Sequence, residues 1–120
     1  MQSTKLIHKN ENYKETDCAC ALSAHAQNPI IPTWYTPDPA PYVHGDTLYL
    51  FTDHDEDDAQ YFKMKDYLLF STTDMANWTY RGTPLSTATF SWARQGDNAW
   101  AAQCVERNGR WYWYVAIEDS

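Results

Sequence analysis

The chain has 120 residues, of which 16% are aromatic (6 Trp and 9 Tyr among them), and carries a formal net charge of −7. That acidic balance, with no Lys/Arg block, excludes a nucleic-acid footprint and disfavours polyanionic substrates and anionic membranes. No apolar run is long enough for a membrane-crossing helix.

The first segment, residues 1–27, reads as a leader. Residues 1–17 are mostly polar, and Ala24-His25-Ala26 has the small-x-small form of a signal-peptidase site. Glu15 and Asp17 interrupt the stretch where an apolar region should extend. The leader is therefore either a remnant of a signal peptide or a disordered tail. Cys18, Cys20 and Cys104 are odd in number, so at least one is unpaired within the chain. The Cys18–Cys20 spacing lacks the second ligand pair of a zinc site. Cys104, in an apolar run, is expected to be a buried small hydrophobe.

The globular domain is expected over 28–120. Asn28 to Thr33 is punctuated by proline and reads as extended chain. Pro37, Pro39 and Pro41 surround Asp38 and bar a helix there. Strand signals follow. Ala40–His44 and Thr47–Thr52 flank Gly45-Asp46 as a hairpin. His54–Asp58 reads as a charged loop, Tyr67–Thr72 as a third strand, Thr73–Asn77 as a turn and Trp78–Arg81 as a fourth, edge-like strand. Four strands within 40–82 match the length of one propeller blade, about 40–45 residues. The pattern then restarts. Ala99–Val105 and Arg110–Val115 flank Asn108-Gly109, the strongest short hairpin signal. No sustained helical period appears after Asn28. The fold class is all-β: an antiparallel four-stranded blade and the first hairpin of a second.

Five stretches in order resemble glycoside hydrolase family 43. They are Thr36-Pro37-Asp38-Pro39-Ala40-Pro41; Tyr49 to Asp55; the corner Ser71-Thr72-Thr73-Asp74-Met75-Ala76-Asn77-Trp78; Ala99-Trp100-Ala101-Ala102; and the hairpin Asn108 to Tyr114. The resemblance implies a five-bladed β-propeller and an inverting hydrolase of the α-L-arabinofuranosidase or β-xylosidase type. It implies arabinoxylan or a related oligosaccharide as partner, and a secreted or periplasmic location. It implies no catalytic cofactor and leaves room for a structural calcium in the complete propeller, although the D-x-D-x-D-G pattern of a calcium loop is absent from residues 54–58. Asp38 matches the family's general base. The family's other two acids, a pKa-tuning Asp and a general acid Glu, lie on later blades, and no residue here matches them.

The meander gives the direction. If the first strand starts at the central funnel, the second ends there. His54 and Asp55 should then rim the pocket with Trp100, which opens the innermost strand of the second blade. Two other readings stand beside this one: a non-catalytic carbohydrate-binding β-module that keeps the aromatic pocket, and a small β-domain unrelated to sugars.

Overall fold

The structure is a computed structural model and describes residues 29–120. The leader expected over 1–27, and with it Cys18 and Cys20, lies outside the described residues. Six strands form two sheets. Strands β1 (Ala40–His44), β2 (Thr47–Asp55), β3 (Met64–Thr72) and β4 (Thr79–Ser86) make an antiparallel meander in the order β1-β2-β3-β4. A short 3₁₀ turn, Thr87–Thr89, leads away from β4. Strands β5 (Ala99–Arg107) and β6 (Arg110–Ile117) form a separate antiparallel hairpin.

Local chemistry explains both tight turns. Asn108 and Gly109 have φ of 56° and 73°. A two-residue hairpin with positive φ at both central positions is the type I′ turn, which Asn-Gly tolerates best. The register Arg107↔Arg110 closes directly over it. Gly45 opens the other turn at φ 61°, between the paired His44 and Thr47.

Alternation along the strands gives the four-stranded sheet two distinct faces. Phe51 on one face packs with Ala40 and, from β5, Cys104, against Trp113 of β6. Tyr67 on the same face packs with Ala99 and Ala102 of β5. The Phe51 and Trp113 rings meet edge-to-face at 4.9 Å. On the other face Leu50, Leu68 and Phe70 pack with Ile31, and Trp34 and Trp78 lie against them. The proline-rich opening segment therefore covers one face, and the β5–β6 hairpin covers the other. Each fully buried large apolar side chain in these clusters contributes about 1.5–3 kcal/mol. Cys104 is buried and free, as its apolar setting predicts.

Several boundaries differ from the sequence expectation; β5 and β6 each run two residues further, and three other differences have a clear cause. β2 continues through His54 and Asp55, which the charge run assigned to a loop. The reason is pairing on both sides: Asp55 pairs with Met64 in β3 and bridges to Tyr35 in the opening segment. β3 accordingly starts at Met64, ahead of Tyr67. β4 runs to Ser86, past Pro84. It pairs only with β3, and an edge strand tolerates a proline because no partner needs its N–H. The 3₁₀ turn left no signal that the sequence reading recognised.

Candidate active site

Asp38 sits two residues before β1, exposed, with φ of 47°. A non-glycine residue in the left-handed region is uncommon and costs about 1–3 kcal/mol. The flanking Pro37 and Pro39 limit the alternatives that its backbone could relax into. The Asp53 amide donates to the Pro37 carbonyl at 3.2 Å, and the Asp55 amide donates to the Tyr35 carbonyl at 3.2 Å. These two bonds lay the Asp38 segment along the far end of β2.

Beside Asp38 lies a residue that the sequence reading did not single out. Asp53 is 0% exposed, and the Asp38 carboxyl is within hydrogen-bonding reach of it. Its carboxylate accepts from the Ala101 amide at 2.7 Å and from the Ala102 amide at 3.3 Å. In a regular strand successive amides point to opposite sides. Here Ala101 has φ of 51°, and the β5–β6 register shifts between Trp100 and Gln103. That kink turns two consecutive N–H groups towards one carboxylate, a small backbone nest. Burial, against the lowering effect of the two amides and with a raising contribution from the neighbouring Asp38, pushes the Asp53 carboxyl up to about 6.

Tyr67 stands opposite Asp53 across the β2–β3 pair and is also 0% exposed. Its hydroxyl hydrogen is shared between the carbonyls of Trp100, at 3.2 Å, and Ala116, at 3.0 Å. Burial, and then the Asp53 charge, hold this phenol well above its usual range. Asp53 and Tyr67 thus pin both strands of the hairpin to the blade.

The other sequence-predicted residues are placed as follows. Trp100 begins the kinked stretch of β5, half-buried, with its ring edge-on to Phe62 at 5.9 Å. It is the residue before the Ala101 amide that holds Asp53, so Asp38, Asp53 and the Trp100 backbone converge. Asp55 borders an open cleft of about 530 Å³ with Tyr35, Tyr61 and Phe62. His54 is paired: its Nδ1 lies 2.7 Å from Asp66 Oδ1, and both side chains are largely buried. One local sign marked Asp53, an aspartate on the strand face of Phe51 where an apolar residue is expected, but nothing local pointed to its partners in β5.

His54, Glu56 and Asp66 bring potential ligand atoms within 4.8 Å of one another. They do not fit a calcium ion, which takes about 6–8 oxygen ligands. One of the three donors is a nitrogen, and Lys65 Nζ already donates to Glu56 Oε2 at 2.7 Å.

Comparison with known proteins bears on the family and the fold. A curated protein of Bacteroides ovatus described as a xylosidase/arabinosidase is 32% identical over 99 residues, covering 75% of this chain and 30% of the relative. The solved structure of the β-xylosidase RS223 matches at 34% identity with a TM-score of 0.65, over 75% of this chain and 30% of that one. A GH43_1 enzyme from Xanthomonas citri matches at 29% identity and a TM-score of 0.69, over 77% of this chain and 28% of its own. CoXyl43, a β-xylosidase/α-arabinofuranosidase from a compost microbial metagenome solved with xylotriose in a calcium-free form, matches at 27% identity and a TM-score of 0.68, over 76% of this chain and 29% of its own. The chain thus spans about three-tenths of the length of these relatives. The profile of glycosyl hydrolases family 43 matches residues 26–120. With one blade, the opening hairpin of the next and an aspartate held before the first strand, the chain belongs to glycosyl hydrolase family 43.

Proposed function

We propose that the protein carrying this chain is an inverting glycoside hydrolase that removes xylose or arabinofuranose units from xylan-type oligosaccharides, arabinoxylan among them, with Asp38 as general base. The observation that carries this reading is Asp38 itself: an exposed carboxylate in a strained backbone, set against a buried second carboxyl at the junction of two sheets. The names of the Bacteroides ovatus relative and of CoXyl43, and the xylotriose bound to the latter, support the substrate class.

In an inverting hydrolase a carboxylate removes a proton from water as the water attacks the anomeric carbon. A carboxylic acid about 6.5–9.5 Å away protonates the leaving oxygen from the opposite side. Asp38 is open to solvent and so can reach such a water. The acid is sought outside these 120 residues, because none of them matches its motif. Trp100 and Asp55 are proposed to line the sugar pocket. His54 is assigned to its rim through the ring edge that Asp66 does not hold. Export, as a secreted or periplasmic enzyme, is the proposed location for work on cell-wall polysaccharide.

The test is the first-formed product. Proton NMR of xylotriose or an aryl arabinofuranoside during hydrolysis by the complete enzyme should show the anomer of inverted configuration first. Initial retention of configuration, or no hydrolysis of either sugar type, would overturn the reading.

A further inference from the structure

We propose that Asp53 is the positioning residue of the active site: it holds the Asp38 carboxylate by sharing a proton with it and is itself anchored by the amides of Ala101 and Ala102. The inference rests on the assignment of Asp38 as base.

The geometry points this way because three unusual features meet at one carboxyl. Asp53 is fully buried on a strand face that otherwise carries Phe51. Asp38, in the opening segment, and Ala101, in β5, both adopt left-handed backbone, and both lie against Asp53. Strain of this sort persists only where the surroundings over-determine it, and it clusters at functional sites. A salt bridge does not explain the burial, because no cation contacts Asp53 among the described residues. The groups facing it are Asp38 from the opening segment, Tyr67 from β3 and the two amides from β5.

Two carboxyls within hydrogen-bonding reach need a proton between them, since two carboxylates are both acceptors. Asp53 is the partner that keeps it. Burial disfavours its charge, and it holds its proton up to about pH 6. Asp38 faces water, and its assigned role as base needs a carboxylate. Protonated Asp53 then donates to that carboxylate and fixes its direction at the attacking water. As the pH rises through about 6, Asp53 ionises, the donated bond is lost and the two carboxylates repel. The same carboxyl ties the base, on blade one, to the innermost strand of blade two, so that interblade packing and base orientation are set together.

The test compares Asp53→Asn with Asp53→Ala in the complete enzyme. Asn keeps an N–H donor towards Asp38 but cannot titrate. Its kcat should stay within about tenfold of wild type, and the alkaline limb of the kcat–pH profile should move up by about one unit, a gain of about tenfold on that limb. Ala loses donor and acceptor, and kcat should fall about 10²-fold, as expected for a misaimed catalytic group. Profiles of Asp53→Asn and wild type that superimpose would overturn the proposal.

A second measurement needs no variant at Asp53. Carboxyl ¹³C titration should show Asp53 titrating near 6 in the wild type and lower in Asp38→Asn, where the like charge is gone. An unchanged midpoint would also overturn it. An Asp38→Asn enzyme that stays active removes the base assignment itself, whereas an inactive Asp38→Asn with an unmoved Asp53 profile removes only the role of Asp53.

Discussion

Asp53 and Asp74 lie in the same blade and meet opposite fates. Asp74 sits in the exposed turn between β3 and β4. Its carboxylate accepts from the Ala76 amide at 2.9 Å, the Asn77 amide at 2.8 Å, the Asn77 side chain at 2.7 Å and the Thr72 hydroxyl at 3.0 Å. The Asn77 amide, then the Asn77 side chain, the Ala76 amide and the Thr72 hydroxyl, hold it well below the usual carboxylate range. Asp53 has two amide donors, no exposed surface and a carboxyl neighbour, and is pushed up to about 6. The turn uses its aspartate as a permanent anion that organises a corner. The sheet junction keeps its aspartate as a proton carrier beside an exposed acid. Residue type is the same in both; the number of donors and access to water decide the chemistry.

The largest stability effect expected from the junction comes from Tyr67→Phe. It leaves the buried Trp100 and Ala116 carbonyls without their shared donor and removes a link between the blade and both strands of the hairpin. A loss of about 1–3 kcal/mol in denaturant unfolding is expected. A loss under about 0.5 kcal/mol, the range of ordinary surface substitutions, would show that the hydroxyl does not clamp the hairpin.

Next comes Ala101→Val. Ala101 is exposed, so packing scarcely changes, but a β-branched residue at φ 51° is a backbone outlier. Unfolding should become easier by about 1–2 kcal/mol. An unaffected midpoint would show that the nest around Asp53 is not needed.

The smallest effect belongs to the turn and appears only in acid. Asp74 has a lowered folded value, so its contribution is present above its ordinary value of 3.8 and is lost as the pH falls below it. Asp53 has a raised value, so its folded-state preference for the proton acts in the opposite sense, between 3.8 and about 6, and is flat below that window. Thermal melts between about pH 4 and pH 2 should therefore show a shallower acid loss in Asp74→Asn, which cannot titrate there, than in wild type. Parallel curves would remove Asp74 from the corner's electrostatics.

How much of this was legible in the sequence depends on the distance over which each signal acts. Gly45-Asp46 and Asn108-Gly109 dictate their turns locally, and the strands beside them were readable for that reason. The end of β2 was not. His54 to Asp58 looks like solvated loop, and Asp55 joins the strand only because Tyr35 and Met64 pair with it. Asp38 was legible through its flanking prolines and its place in a family motif. Asp53 was not, because its partners Ala101 and Ala102 are 48 and 49 residues away and depend on a kink in β5 that an Ala-Trp-Ala-Ala run does not announce. The His54–Asp66 pair joins positions 12 apart across a bulge and was hidden in the same way.

The most direct test of the assignment sets the two kinds of aspartate against each other in one assay. Asp38→Asn and Asp74→Asn, made separately in the complete enzyme, are compared for hydrolysis of aryl xylosides and arabinofuranosides. Asn replaces Asp well in turns, so Asp74→Asn should keep its rate within about twofold. Asp38→Asn should keep sugar affinity while kcat falls at least about 10²-fold, because the proton acceptor is gone. An Asp38→Asn enzyme that retains more than about a tenth of the wild-type rate would contradict the assignment of Asp38 as base.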